Sequence, residues 1–416
     1  MSGPIETYVD LYGDVRRVGT LYRVPAKDRE TISFDYHQDW LEFDGRFAIE
    51  PSLRVGEGRF YPEQGREMFG AIGDSAPDTW GRQLMRRSER RRAEAEGRNV
   101  KTLHETDFLL GVSDISRLGA LRFKYEGSDQ FQAPADAGVP GFVMLGRLLD
   151  SADRIERGEE TDEDLQMIFA PGSSLGGARP KASIMDNDGT LAIAKFPKQT
   201  DEYSIEAWEH IALTLADMAG INCSEHNLVN VSGNPVLLSK RFDRIGTARI
   251  PFLSAMSMLQ LKDGERSSYP EIINELANVG SQVKKDSAEL FRRMIFNILI
   301  SNVDDHLRNH GFLLTGKEGW ALSPVYDLNP TPQDVRRRVL TTSISPDDAN
   351  CSIDLALEQV GYFNLNEDVG VQIIREVSEA VTNWRDIAVQ KGQSKAQIER
   401  MSSAFEHEDL ERSLAF

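Results

Sequence analysis

Ser301-Asn302-Val303-Asp304-Asp305-His306-Leu307-Arg308-Asn309-His310, followed after a short gap by Pro324-Val325-Tyr326-Asp327-Leu328-Asn329-Pro330, is the stretch on which the reading of this chain turns. It sets an Asp, an Asn five positions on, and a second Asp beyond a short loop. Phosphoryl transfer calls for those groups: one carboxylate to take the proton of the attacking hydroxyl, an amide oxygen and a second carboxylate to hold magnesium on the nucleotide. The Asp-x-x-x-x-Asn spacing selects Asp304 over its neighbour Asp305. Each residue also has a plainer reading. Asp304 and Asn309 can cap a helix end, and Asp327 before Asn329-Pro330 can form an Asx turn. His306 and His310 could belong to a metal site, a weak signal without further ligands.

Upstream, a hairpin is expected over Lys181–Met185 and Leu191–Phe196, turning at Asp186-Asn187-Asp188-Gly189. Lys195 lies within its second apolar strand, costly unless its ammonium is paired. A strand lysine paired with a helix glutamate is the arrangement that holds phosphates in kinases. Glu206 and Glu209, on the helix expected over Ser204–Ala219, are the candidate partners. The loop Ser173-Ser174-Leu175-Gly176-Gly177-Ala178-Arg179-Pro180-Lys181 precedes the hairpin and matches no standard phosphate-loop motif. Its position suits a phosphate cover, and a flexible turn is the plainer reading. Lys240-Arg241-Phe242-Asp243-Arg244 leaves the small sheet where a hinge would present backbone groups to an adenine edge, or simply as a charged strand exit.

The rest of the chain fits a soluble globular protein of two or three domains. It has 416 residues, 40% apolar and 27% charged, with no apolar run long enough for a membrane span and no secretory leader at Met1–Tyr12. Cys223 and Cys351 are far apart, which excludes a disulfide framework or cysteine zinc site and suits a reducing cytosol. A net charge of −18 makes the chain a poor direct ligand of nucleic acid. Arg82–Lys101 is the local exception, with eight basic residues against three Glu. It reads as a helix face with Arg–Glu pairing, or as a patch for an acidic partner.

Residues 1–60 read as short strands and hairpins, 77–100 as a helix and 126–140 as a loop. Residues 159–164 read as an acidic helix start or solvated loop. The chain beyond about 250 reads as mainly helical, including Asp286–Ser301, Val369–Lys391 and Lys395–Leu414. The expected fold class is α+β. A β-rich N-terminal subdomain (1–125) and a small β lobe (126–244) precede a helical lobe (245–416), an order like that of bilobal protein kinases.

Five motifs in order carry a resemblance: the Ser-x-x-Gly-type loop ending at Lys181, Ala194-Lys195-Phe196-Pro197, Arg241-Phe242-Asp243-Arg244, Asn302-x-Asp304-Asp305-His306-x-x-Asn309-His310, and Pro324-x-Tyr326-Asp327-Leu328-x-Pro330. Together they resemble the HipA family of bacterial toxin Ser/Thr kinases. Tyr12-Gly13, Val18-Gly19 and Phe69-Gly70 to Trp80-Gly81 are similar to that family's N-terminal part.

The resemblance implies Asp304 as general base, Asn309 and Asp327 on Mg2+, and Lys195 on the α/β phosphates of ATP. Gly176, Gly177, Ala178, Arg179, Pro180 and Lys181 would cover the phosphates. Lys240, Arg241 and Phe242 would read adenine through backbone, and His306 would approach the nucleotide. Ser174, or the adjacent Ser173, matches an autophosphorylated loop serine whose modification silences the enzyme.

The resemblance also implies a cytoplasmic toxin neutralised by a HipB-like helix-turn-helix antitoxin that supplies most of the DNA affinity. Its substrate would be a translation component, typically an aminoacyl-tRNA synthetase. Two other readings stay open: an antitoxin-bound corepressor with a vestigial site, and a small-molecule or lipid kinase.

Overall fold

The computed structural model describes residues 3–26, 29–63, 65–132, 138–169, 177–316 and 319–416. The expected phosphate-loop residues Ser173, Ser174 and Gly176 lie outside them. The chain divides into two compact units: residues 1–200 with 229–253, and 201–228 with 254–416. The α+β class holds, with antiparallel sheets and many helices. Among the described residues no helix is long and apolar enough to cross a membrane.

The first unit opens on a five-stranded antiparallel sheet. Its strands are β1 (Ile5–Leu11), β2 (Asp14–Pro25), β3 (Glu30–Tyr36), β4 (Arg59–Phe60) and β5 (Leu121–Tyr125), in the order β4-β3-β2-β1-β5. The β1–β2 turn needs two left-handed residues, Tyr12 at φ +54° and Gly13 at φ +96°. Asp10 Oδ1 accepts from the Gly13 N–H at 2.8 Å and fixes that turn. Gly19 on β2 faces Asp35 so closely that an added Cβ would lie 2.2 Å from the Asp35 carbonyl oxygen. Only glycine fits there.

Helix α1 (Thr79–Ala95) starts at the cap Asp78, whose Oδ1 accepts from Gly81 N at 2.8 Å. The Arg82–Lys101 stretch is largely paired: Arg82 with Glu105, Arg87 with Glu160 at 3.3 Å, Arg91 with Asp162 at 2.6 Å, and Arg98 with Glu89 at 2.6 Å. Pairing was the expectation, but most of these acids come from outside the helix. Helices α2 (Leu145–Arg157) and α3 (Asp162–Phe169) follow. The acidic stretch does start a helix, yet Asp164 is not solvated. It is buried, with Ser151 Oγ donating at 2.7 Å and Arg154 paired to it.

The expected hairpin forms as β6 (Lys181–Met185) and β7 (Leu191–Lys195), with Gly189 at φ +77° in the turn. With β8 (His226–Val231) and β9 (Asn234–Lys240) it makes a four-stranded sheet in the order β6-β7-β9-β8. Ile184, Ala194, Phe196 and Val236 share one core with Leu148 and Ile155 of α2, and with Trp80 and Leu84 of α1. Full burial of such side chains stabilises by roughly 1.5–3 kcal/mol each.

The second unit is helical. It contains α4 (Ile205–Met218), α5 (Tyr269–Val279), α6 (Val283–Leu299), α7 (Glu367–Val381), α8 (Trp384–Gln390), α9 (Lys395–Phe405) and α10 (Glu408–Ser413). A short hairpin of β10 (Gly311–Leu314) and β11 (Trp320–Leu322) accompanies them. Leu290, Phe291, Met294, Ile295, Ile298 and Leu299 of α6 are fully buried. The Trp384 and Phe405 rings stack at 4.7 Å.

Two expected helices are each broken in two. Val369–Lys391 is interrupted at Thr382-Asn383, where Asn383 Nδ2 donates to the carbonyls of Glu379 (2.8 Å) and Ala380 (3.2 Å). Such side-chain bonding competes with the helical ladder. Lys395–Leu414 stops at Phe405. Extended His407 then recaps the chain, its Nδ1 accepting from Leu410 N at 3.3 Å.

Candidate active site

Helix α6 runs to Leu299 and is ended by Ser301 at φ +52°. A tight loop and a 3₁₀ turn (Leu307–Asn309) then lead into β10. This backbone sorts the polar residues of the loop. Asp304 is exposed, and its Oδ1 accepts from Arg336 Nη1 at 2.8 Å. Asp305 is buried, accepting from the Tyr269 hydroxyl and lying 3.0 Å from His310 Nε2. The two neighbours thus differ in exposure: Asp304 meets solvent, whereas Asp305 is an internal anchor. Tyr269 is fully buried, and burial with the adjacent Asp305 carboxylate pushes its phenol well above the usual range, so it stays a donor.

Asn309 is 3% exposed. Its Nδ2 donates to the Asp304 carbonyl at 3.4 Å, while its Oδ1 has no hydrogen-bond partner among the described residues. A buried amide oxygen without a partner costs about 1–3 kcal/mol, so such an atom points to a ligand. His306 Nδ1 is likewise buried without a partner among the described residues.

Asp327 follows the β10–β11 hairpin. Two bonds hold its segment to the loop that follows α6. Tyr326 Oη donates to the Arg308 carbonyl at 2.6 Å, and Asn329 N donates to Asn302 Oδ1 at 3.2 Å. Asp327 itself sits at φ +62°, a left-handed conformation that Asp tolerates better than most residues. The structure therefore ties the Asp327 segment to the loop bearing Asp304 and Asn309.

Among the described residues no group of three or more His, Cys, Asp or Glu could cage a metal. With His310 Nε2 engaged by Asp305, the two-histidine metal site gains no support. An Asn–Asp pair fits magnesium, which takes a few protein oxygens beside phosphate oxygens.

The remaining expected nucleotide residues lie in the first unit, and the candidate partners of Lys195 lie on α4 of the second. Lys195 ends β7, half-buried and in register with Lys181 on β6. Glu206 and Glu209 are both buried on α4. Gly177 takes φ +97°, Lys198 Nζ donates to the Ala178 carbonyl at 3.3 Å, and Pro180 is buried with its carbonyl accepting from Phe196 N at 2.9 Å. Arg179 is half-buried.

Lys181 is only 2% exposed, and its Nζ pairs with Asp78 Oδ2 at 2.8 Å. Arg241 donates its N–H to the Leu191 carbonyl at 2.9 Å and its guanidinium is buried against Asp243. Lys240 Nζ reaches Asp188 at 3.2 Å, and the Phe242 ring lies 6.1 Å from that of Phe252.

Asp243 anchors the Arg-Phe-Asp-Arg motif. It accepts from Arg241 Nε (2.7 Å), Arg244 Nη1 (2.6 Å) and Gly119 N (2.7 Å). Burial alone would raise its pKa, but the Arg241 and Arg244 guanidiniums outweigh it and bring the carboxyl down to about 2. Arg244 bears part of that cost: its own burial lowers it to about 10. Sequence reading missed Asp78, Tyr269, Asn297 and the anchoring role of Asp243. Asn302 and Asn329 stood inside the quoted stretch without an assigned role.

A family model described as the HipA-like C-terminal domain matches residues 173–384, about half of the chain, and one described as the HipA N-terminal domain matches residues 9–109. The chain belongs to the HipA family. A putative kinase of Sinorhizobium fredii, Y4dM, is 31% identical over 225 residues, 45% of this chain and 54% of the relative. The serine/threonine-protein kinase toxin HipA of Shewanella oneidensis is 23% identical over 233 residues, 46% of this chain and 53% of the relative. The match thus spans about half the length of these curated relatives.

The solved Shewanella oneidensis complex of HipA, HipB and operator DNA contains a chain of the same fold. The TM-score is 0.68 at 15% identity, covering 99% of this chain and 96% of that one. The span matched by the HipA-like C-terminal model, 173–384, contains all five motifs.

Proposed function

We propose that this chain is an ATP-dependent serine/threonine protein kinase toxin of a toxin–antitoxin module. The observation that carries the reading is the Asn309 amide oxygen, buried without a partner among the described residues on the loop that exposes Asp304 and to which the Asp327 segment is tied. Asp304 accepts the proton of the acceptor hydroxyl as its oxygen attacks the γ-phosphorus. Asn309 and Asp327 supply oxygens for magnesium, which neutralises charge on the phosphate oxygens when bound. Lys195 holds the α/β phosphates, His306 approaches the nucleotide, and backbone of Gly177–Pro180 and of Lys240 and Phe242 serves phosphates and adenine. Most of the rate enhancement comes from positioning and fixed charge.

The finer assignments follow family membership. The chain is read as three parts, 1–125, 126–244 and 245–416. Its partner is a HipB-like helix-turn-helix antitoxin, which brings operator DNA to a protein whose own charge is −18. The solved relative's assembly with HipB and operator DNA supports this partner class. Its substrate is a translation component, an aminoacyl-tRNA synthetase. Phosphorylation of Ser174 would add about −1.5 to −2 charges at the loop meant for phosphate and silence the enzyme.

The test is transfer of labelled γ-phosphate from ATP into proteins of a cell lysate, with phosphopeptide mapping. Asp304→Ala should abolish transfer while leaving the fold intact, because Asp304 is exposed and holds only Arg336. Full transfer by that variant would sink the mechanism.

A further inference from the structure

A line of buried side chains runs through the second unit. His310 Nε2 lies 3.0 Å from Asp305 Oδ2, and the Tyr269 hydroxyl donates to the same carboxylate. Asn297 Nδ2 donates to Tyr269 Oη at 2.9 Å, and Asn302 Nδ2 donates to Asn297 Oδ1 at 3.0 Å. Asn302 Oδ1 accepts from Asn329 N at 3.2 Å, and Asn329 Nδ2 donates to the carbonyl and to Oδ1 of Asp327, each at 3.3 Å. His310, Asp305, Tyr269, Asn297 and Asn302 are at most 3% exposed.

The ends of this line matter. Asp305 and His310 are the chain neighbours of Asp304 and Asn309, and the opposite end bonds Asp327. The line is bonded from member to member, though His310 Nδ1 and Asn329 Oδ1 have no hydrogen-bond partner among the described residues; such a buried polar network is costly to assemble and specifies one arrangement of its members. Apolar residues would stabilise this helix end as well or better. What apolar residues cannot do is fix the rotation of the loop, so that Asp305 and His310 point inward while Asn309 Oδ1 is left for a ligand. Nor can they hold the Asp327 segment to that loop through Asn302.

We propose that the line from His310 through Asp305, Tyr269, Asn297 and Asn302 to Asn329 sets Asn309 and Asp327 as the two protein ligands of one divalent cation, with Tyr269 and Asn302 as positioning residues. The proposal rests on the phosphotransfer reading above. Asn302→Ala leaves Asn297 Oδ1 and Asn329 N without partners and detaches the Asp327 segment. Tyr269→Phe removes the Asp305 donor and the acceptor for Asn297.

The probe is Mn2+ in the presence of ADP, with free Mn2+ read by electron paramagnetic resonance on the full chain. The wild type should bind Mn2+. Asn302→Ala should bind it about tenfold more weakly, and Tyr269→Phe should shift in the same direction, while metal-free ADP binds within about twofold of wild type. A core variant of comparable Tm loss, Phe291→Leu, should keep wild-type Mn2+ affinity, since Phe291 has no bond to the line.

If Asn302→Ala does not fold, Tyr269→Phe decides. Folded variants that bind Mn2+ like the wild type, or a Phe291→Leu protein weakened equally, would overturn the positioning role alone. A wild type that binds no Mn2+ with ADP would overturn it together with the kinase reading.

Discussion

Replacing Asp243 by Asn tests whether the Arg-Phe-Asp-Arg motif is an anchor rather than an adenine-reading hinge. Asp243 is fully buried and is bonded by Arg241, Arg244 and the Gly119 amide. Its carboxyl is held at about 2 against an ordinary 3.8. That difference corresponds to about 2 kcal/mol of stability at neutral pH. The substitution also strands two guanidiniums in the interior, and removing one partner of a buried pair costs roughly 3–5 kcal/mol. Asn keeps a carbonyl acceptor but presents an NH2 to donors, so a loss of about 3 kcal/mol is expected.

Because the folded carboxyl titrates below its ordinary range, the charge contribution is fully present above about 4 and is lost as pH falls toward about 2. The wild-type advantage over Asp243→Asn should therefore shrink on acidification through that window. Urea unfolding at a series of pH values measures it. Hydrogen exchange of peptides covering 115–125 and 236–250 assigns the loss to the first unit. A neutral-pH cost below about 1 kcal/mol, or a difference that stays flat through the acid window, would refute the reasoning.

Lys195→Met should raise the KM for ATP about tenfold or more with little change in Tm, measured by steady-state phosphate transfer; an unchanged KM removes Lys195 from the nucleotide site. Burial pushes the thiols of Cys223 and Cys351 from 9.0 up to about 12, so each holds about 10³-fold less thiolate than an ordinary cysteine at neutral pH. Both should react slowly with a disulfide reagent in the folded protein and fast in urea. Rapid labelling of the native chain would contradict their burial.

What the sequence made legible was local. Ser204 capping the helix that begins at Ile205, the Asp-Asn-Asp-Gly turn between β6 and β7, and the apolar face of α6 are each written within a few residues of the element they define. That Asp304 is exposed and Asp305 buried was not legible, because the spacing to Asn309 says nothing of which carboxylate turns outward. Nor were the breaks at Asn383 and His407, because side-chain bonds to the helix's own carbonyls and a recapping histidine override a continuous apolar period.

The partners of charged residues were least legible. Asp78 finds Lys181, and Gly119 finds Asp243, across more than a hundred residues of chain. Nothing in the motif around Lys181 distinguishes a buried ion pair from a phosphate ligand. The line from Tyr269 to Asn329 escaped for the same reason: its members come from α5, α6 and two loops, and only packing brings the amides together.

The division of the chain has a consequence for synthesis. Each unit is assembled from two separate stretches, so the polypeptide passes from one to the other at about 200, 228 and 253. When the ribosome has made residues 1–200, β7 still lacks β9, the neighbour that fills its second edge. That edge stays open until residues 234–240 emerge, by which time α4 of the other unit has already been released. Neither unit can be cut out as one uninterrupted fragment, and a truncated product ending near 200 would expose the bare edge of β7 to any strand able to pair with it.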